Sequence, residues 1–133
     1  MVFLDTSFII SLINKKDRNH KRAREVMNNI NSNNYGNICI SDYVFSECAN
    51  VILKILNNLK TTEEICTKLK KDVVFFMNQD LFEETWNIFI KQKNNRLGFI
   101  DCSILAVMEK NSIKYLATFD KDFENIEGIK VLN

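Results

Sequence analysis

The sequence predicts an α/β domain in three layers, in which helices flank a mostly parallel sheet of four or five strands. Two observations carry this prediction. Short apolar runs rich in β-forming residues alternate with longer segments whose apolar residues have helical spacing, and polar tracts separate them. Parallel strands need crossover connections and helices supply them, so the alternation favours a parallel sheet. The length of 133 residues fits one domain spanning residues 1–133.

The first elements follow this alternation. The run VFL predicts a short strand, and TSFIISLI directly after it has apolar residues at helical spacing. A second amphipathic helix is predicted over residues 17–30, and the polar tract NSNNYGN then breaks it. NICIS predicts a buried strand, and DYVFSECANVILKIL predicts a long helix with Ile55 on its core face.

The later elements continue the pattern. A helix is predicted to begin at Thr61, because Thr61 and Glu64 have the spacing of a capping box. DVVFF predicts a third strand, and the next helix is predicted to begin near Asp80, with Glu83 at the box position. That helix is expected to turn four apolar residues inward: Phe82, Trp86, Phe89 and Ile90. KQKNNRLG is a polar loop, FIDCSILAVMEKN an apolar helix, and YLAT and IKVL the last strands.

Composition excludes several classes of protein. No apolar stretch approaches the roughly 20 residues that span a bilayer, and the N-terminal positive charges follow the apolar run, the reverse of a secretory signal. We therefore expect a cytoplasmic protein without a membrane partner. The four cysteines are widely spaced in apolar surroundings, which favours reduced core residues over a zinc site. With a net charge of +1, binding of nucleic acid needs a local basic patch.

Two acidic residues follow strands of the predicted sheet. Asp5 comes directly after VFL, and Asp120 lies two residues beyond YLAT. Ligands of open parallel sheets bind at the carboxyl ends of the strands, so both carboxylates are expected at one edge. The alternatives are a helix cap for Asp5 and an ordinary turn aspartate for Asp120.

Two further acids lie near the starts of helices that begin at this edge. Asp101 is in the first turn of FIDCSILAVMEKN, among apolar neighbours where burial of an unpaired carboxylate would be unfavourable. Glu47 is one to two turns into the helix after NICIS, where the alternative is a solvated position between core stripes. Four carboxylates from distant segments are thus predicted to converge on one pocket.

Such a cluster implies a cation, because neighbouring carboxylates repel and raise one another's pKa unless a positive charge neutralises them. Magnesium or manganese prefers oxygen ligands and keeps waters that phosphate oxygens can replace. An ion of this kind activates water and stabilises the leaving oxygen in phosphodiester hydrolysis. The number of ions stays open.

These motifs resemble the PIN-domain family, and within it the VapC-like ribonucleases, nearly end to end. VFLDTSFIISLI resembles the family's first strand with its aspartate and following hydroxyl residue, here Asp5 and Thr6. ISDYVFSECANV resembles the segment with the family's glutamate, here Glu47, and GFIDCSILAVMEKN the helix with its third acid, here Asp101. YLATFDKDFENIEGIKVLN resembles the closing segment, with Thr118, Asp120 and Asp122.

The resemblance implies a PIN-like, Mg²⁺- or Mn²⁺-dependent endoribonuclease that forms a homodimer. The catalytic and metal-binding residues would be Asp5, Glu47, Asp101 and Asp120. Asp122 would share or support the role of Asp120, and Thr6 and Thr118 would orient the carboxylates; capping is the alternative for both threonines. Three readings stay open: a toxin with an antitoxin partner, a stand-alone RNA-processing nuclease, and a PIN-like binding module without catalysis.

Binding of RNA also requires cations near the acids. Arg96 and Lys121 are the nearest in sequence and are the preferred phosphate contacts. The basic run after the first helix supplies Lys15, Arg18 and Arg22, for which a solvated helix face is the alternative.

One rival class of phosphoryl-transfer enzyme is disfavoured. A haloacid-dehalogenase-type enzyme would use Asp5 as a covalent nucleophile and would need a second aspartate two residues later, where this chain has Ser7.

Overall fold

The computed structural model describes residues 1–32, 35–93 and 95–133. The strands are β1 (Val2–Leu4), β2 (Ile38–Ser41), β3 (Val73–Phe75), β4 (Tyr115–Ala117) and β5 (Lys130–Leu132). The helices are α1 (Thr6–Ile13), α2 (His20–Ser32), α3 (Asp42–Leu56), α4 (Leu59–Leu69), α5 (Gln79–Lys91) and α6 (Phe99–Lys110), with a short 3₁₀ helix at Lys121–Phe123. Parts of two sequence predictions lie outside the described residues: Asn33 and Asn34 of NSNNYGN, and Asn94 of KQKNNRLG.

The five strands form one parallel sheet in the order β3-β2-β1-β4-β5, which confirms the predicted α/β class. The chain adds β2 and β3 on one side of β1 and then crosses to add β4 and β5 on the other. The direction of winding therefore reverses between β1 and β4, where Leu4 pairs with Ala117. In open parallel sheets a ligand crevice forms at this switch point, beyond the carboxyl ends of the strands.

The centre of the core is formed by β1, β2, β4 and α6. Helix α6 is buried continuously from Cys102 to Met108, so it packs on more than one side. Burial of each large apolar side chain contributes roughly 1.5–3 kcal/mol, and this helix is therefore firmly held in the core. Across the described ranges, we find no helix with the length and apolar character needed to cross a membrane.

The cysteines lie in this core as free, buried thiols: Cys39, Cys48, Cys66 and Cys102. Burial raises the pKa of Cys39 and of Cys48 to about 12. Both thiols therefore stay protonated at neutral pH and pack as small apolar groups.

The segment before α2 is a turn, although a helix was predicted from residue 17. The helix begins at His20, and the Asp17 side chain instead accepts hydrogen bonds from the Asn19 N–H (2.8 Å) and the Ser11 hydroxyl (3.2 Å). An aspartate that bonds the backbone two residues ahead favours a turn over a helix. Residues 14–19 are thereby tied to α1.

The start of α4 also differs from the prediction. The helix begins at Leu59, and the side chain of Asn58 caps it by accepting a hydrogen bond from the Thr61 N–H at 3.0 Å. The predicted capping box of Thr61 and Glu64 is wrong, because asparagine is a strong cap and stands three residues earlier.

This difference can be tested by urea denaturation. Asn58→Ala is expected to lower the free energy of unfolding by about 1 kcal/mol, because it removes the acceptor of an otherwise unpaired N–H. Thr61→Ala is the matched control and is expected to change it by no more than a few tenths of a kcal/mol, since alanine is the better helix former. A larger loss for Thr61→Ala would contradict the observed cap.

Helix α5 places its apolar stripe differently from the prediction. Asn78 caps this helix by accepting from the Leu81 N–H at 3.0 Å, so Glu83 is not at a capping-box position. The buried residues are Leu81 and Thr85, whose hydroxyl donates to the Leu81 carbonyl at 2.7 Å. Three residues predicted to face inward are instead exposed: Phe82, Trp86 and Ile90. Ile55 of α3, also predicted to be in the core, is exposed as well.

Candidate metal centre and active site

Asp5 and Asp120 lie at the carboxyl edge of the sheet, at the switch point between β1 and β4. The N–H of Asp5 donates to the carbonyl of Ala117 in β4 at 3.0 Å, so Asp5 sits at the boundary of the two strands. Asp120 follows β4 and caps the 3₁₀ helix, where its Oδ1 accepts from the Asp122 N–H at 2.9 Å.

The Asp5 carboxylate is buried and fully engaged in hydrogen bonds. It caps α1 by accepting from the N–H of Thr6 at 2.6 Å, which is the structural role considered above. In addition, its Oδ2 accepts from the hydroxyl of Ser7 (2.6 Å) and from that of Thr118 (2.7 Å), which is 113 residues away. Donors of this kind fix the orientation of a buried carboxylate.

Ser7 is a member of this network that sequence reasoning missed. Besides donating to Asp5, its oxygen lies 3.1 Å from the Thr118 hydroxyl and accepts from the Phe119 N–H at 3.0 Å. The local signal was its position two residues after a capping aspartate, where a hydroxyl can reach the cap. The decisive partners come from the far end of the chain.

Glu47 is joined to the same edge by Thr6. The Thr6 hydroxyl donates to Oε2 of Glu47 at 2.5 Å, which connects the first turn of α1 to α3. Glu47 itself is half-buried. Thr6 therefore orients one acid through its side chain while its backbone N–H binds Asp5.

Asp101 is the third residue of α6, and its Oδ2 accepts from the Gly98 N–H at 2.7 Å. The pKa of Asp101 is raised to about 6: burial is the largest cause, the hydrogen bond from the Gly98 N–H lowers the pKa, and the charges of three other acids raise it. Those acids are Asp5, Asp120 and Glu47. Asp101 thus lies within electrostatic range of all three other predicted site residues.

This raised pKa predicts a pH dependence of stability in metal-free protein. The folded-state pKa of about 6 exceeds the ordinary 3.8, so the folded protein holds this proton more tightly than the unfolded chain. The contribution of Asp101 to stability is greatest below about pH 4 and declines as the pH rises through 6. Between pH 4 and 7 the free energy of unfolding of Asp101→Asn should therefore rise relative to that of the wild type. The expected change is on the order of 1 kcal/mol after solvent screening. Urea denaturation in EDTA measures this difference, and a pH-independent difference would contradict it.

The donor set suits a hydrated cation. In the parts of the chain that the structure describes, no three His, Cys, Asp or Glu side chains stand close enough together to hold one ion directly. Magnesium, however, takes one or two carboxylates and retains several waters, and mutual repulsion separates acids that lack a counter-charge. The described hydrogen bonds engage one oxygen each of Glu47, Asp101 and Asp120, which leaves the other oxygen for an ion or its waters. A cage of four direct ligands fits less well.

The cations predicted to contact RNA are separated by the structure. Arg18 and Lys121 line one open cleft together with Asp120 and Asp122. The Arg22 guanidinium instead donates to the Asn133 carbonyl at 3.0 and 2.8 Å. Lys15 and Arg96 are exposed, the latter in the loop before α6.

An open parallel sheet with acids gathered at its switch point is the architecture of a PIN-type domain. The PIN domain family matches residues 2–129, and the chain belongs to this family. It is 26% identical to the 23S rRNA-specific endonuclease VapC20 of Mycobacterium tuberculosis. The alignment spans 132 residues and covers 98% of each chain.

Solved structures share the fold. The crystal structure of Mycobacterium tuberculosis VapC20, described as a sarcin–ricin loop cleaving toxin, superposes with a TM-score of 0.80 at 23% identity, over 92% of each chain. A toxin–antitoxin complex from Klebsiella pneumoniae superposes with a TM-score of 0.72 at 23% identity, over 100% of this chain and 98% of that one.

Proposed function

We propose that this protein is a Mg²⁺- or Mn²⁺-dependent endoribonuclease whose site consists of Asp5, Glu47, Asp101 and Asp120. The observation that carries the proposal is the hydrogen-bond network that joins three of these acids at the carboxyl edge of the sheet. Thr118 links Asp5 to Asp120, and Thr6 links Asp5 to Glu47. The raised pKa of Asp101, to which the charges of the other three acids contribute, supports its place beside them. A phosphodiester cannot approach four uncompensated carboxylates, so the cluster requires a cation to be useful. An alignment with 26% identity that covers 98% of an rRNA endonuclease supports RNA as the substrate class.

The chain's own residues supply orientation. When bound, a divalent cation would neutralise the acids, activate water and stabilise the leaving oxygen. Asp5 is fixed by Ser7 and Thr118, and Glu47 by Thr6. Because these side chains are held before substrate arrives, little reorganisation is needed during the reaction.

The substrate is proposed to be ribosomal RNA, and the partner an antitoxin protein. Similarity to a 23S rRNA-specific endonuclease supports the first, and the fold shared with a toxin–antitoxin complex supports the second. Such a toxin would act in the cytoplasm. The alternative is a stand-alone RNA-processing nuclease, and an adjacent small reading frame that encodes a DNA-binding protein would decide between the two.

A homodimer is proposed because the outer face of α5 carries a continuous aromatic surface. Phe82 and Phe89 lie 5.5 and 5.8 Å from the ring of Phe99, and Trp86 lies 6.0 Å from Phe89. Exposed apolar patches of this kind commonly mark interfaces. Light scattering of wild type and Trp86→Glu would test it, with the dimer expected to dissociate in the variant.

The proposed function is tested with purified protein and a synthetic sarcin–ricin loop RNA. Cleavage is expected in magnesium or manganese and is expected to be absent in EDTA. Millimolar magnesium should also raise the melting temperature, by several degrees at saturation, because an ion that binds only the folded cluster stabilises it by mass action. Cleavage that persists in EDTA, or an unchanged melting temperature, would count against the metal centre.

A further inference from the structure

The cleft beside Asp120 has the size and lining of a pocket for one nucleotide. Its volume is about 630 Å³, within the roughly 300–1,000 Å³ of small-ligand pockets. One wall is formed by residues 17–19 with part of α1, and the other by residues 119–122, which follow β4. Asp120, a proposed catalytic residue, lines the cleft directly, so its occupant would adjoin the reacting phosphate.

An aromatic ring forms part of this lining. Phe119 stacks on the fully buried Phe8, with ring centroids 5.7 Å apart and planes at 22°. Phe119 itself is only half-buried and lines the cleft, so Phe8 does not cover it completely. The Ser7 hydroxyl accepts from its N–H at 3.0 Å and fixes its backbone. Proteins bind unpaired nucleotides by stacking bases on rigid aromatic side chains of this kind.

Two cations in the cleft lining offer binding partners for a phosphate. Arg18 and Lys121 are exposed and contribute from opposite walls. Three acids also line the cleft: Asp17, Asp120 and Asp122. Asp17 is engaged by Ser11 and Asn19, and the described acids do not form a three-ligand metal group. A phosphate group therefore belongs near the two cations, which leaves the interior of the cleft for the base.

We infer that this cleft binds the nucleotide next to the cleaved bond: Phe119 stacks on its base, and Arg18 and Lys121 bind its phosphate. The inference rests on the proposed nuclease function and adds to it a subsite that helps to choose the cleavage position. Phe119 is a binding residue in this scheme and takes no part in the chemical step.

The test uses sarcin–ricin loop RNAs that each carry one abasic nucleotide. Binding is measured by fluorescence anisotropy in magnesium, with each protein carrying Asp101→Asn so that the RNA is not cut. Cleavage is measured in magnesium without that substitution. For the wild type, an abasic nucleotide next to the cut should weaken binding roughly 10-fold, while distant positions have little effect. Phe119→Leu should weaken binding of intact RNA by a similar factor and should lose sensitivity to that abasic position. Phe119→Tyr retains the ring and should therefore keep both the affinity for intact RNA and the sensitivity to the abasic position.

Matched controls separate this subsite from general effects. Phe76→Leu removes an exposed phenylalanine outside the cleft, and Arg24→Gln a cation on α2; both should behave as wild type, whereas Arg18→Gln should weaken binding. If Phe119→Leu keeps the wild-type sensitivity to abasic RNA while cleavage is normal, the subsite is wrong and the nuclease function stands. If binding depends on Phe119 at one position but no RNA is cut, the subsite stands and the nuclease function fails. Absence of both binding and cleavage overturns both.

Discussion

Asp101→Asn is expected to abolish magnesium-dependent RNA cleavage, with a loss of at least about 100-fold in kcat. Asparagine keeps the size of the side chain, and its carbonyl oxygen can still accept the hydrogen bond from Gly98. It removes the negative charge that a cation would bind. The fold should therefore survive, and in EDTA the variant should be as stable as the wild type or more so at neutral pH, because repulsion from the other acids is relieved.

Asp80→Asn is the matched control for this substitution. Asp80 is an exposed aspartate of α5 that pairs with Lys110 at 3.7 Å, at the end of α6 opposite to Asp101. Its replacement is expected to leave cleavage unchanged. Magnesium should shift the melting temperature of Asp80→Asn as in the wild type and should shift that of Asp101→Asn much less. Full cleavage by Asp101→Asn would remove the basis of the proposed mechanism.

The site could be predicted in outline because its acids are tied to local features of the sequence. Asp5 directly follows a strand and Asp120 lies just beyond another, and parallel topology alone puts strand ends at one edge. Local patterns carry no information about which strand neighbours β1. The contact of Ser7 with Thr118 depends on the pairing of β1 with β4, and Ser7 was therefore missed.

The errors about which side of a helix is buried have a common physical cause. Helical spacing shows that α5 has an apolar stripe, but the side that packs inward is chosen by tertiary contacts. The helix buries Thr85, whose hydroxyl donates a hydrogen bond to the Leu81 carbonyl, and leaves the larger Trp86 exposed. A polar residue that can bond its own helix is thus acceptable in the core, and an alternation of apolar and polar residues does not reveal it.

Thr118→Val is expected to impair both stability and cleavage, because Thr118 joins two of the proposed catalytic acids. The residue is fully buried; its hydroxyl donates to Asp5 at 2.7 Å and accepts from the Asp120 N–H at 2.9 Å. Valine has the same shape and leaves both partners without this bond. The free energy of unfolding should fall by about 1–3 kcal/mol. The cleavage rate should fall by roughly 10- to 100-fold, with more magnesium needed for half-maximal activity, since Asp5 and Asp120 lose orientation.

Two variants distinguish orientation of the acids from a general loss of stability. Thr118→Ser keeps the hydroxyl and is expected to retain most of the activity. Thr85→Val removes the hydroxyl of another fully buried threonine, on α5, and is expected to leave the magnesium dependence of cleavage unchanged. If Thr85→Val and Thr118→Val lowered cleavage equally, the hydroxyl of Thr118 would have only a structural role. If only Thr118→Val needed more magnesium, the hydrogen bonds of Thr118 to Asp5 and Asp120 would be shown to support binding of the cation.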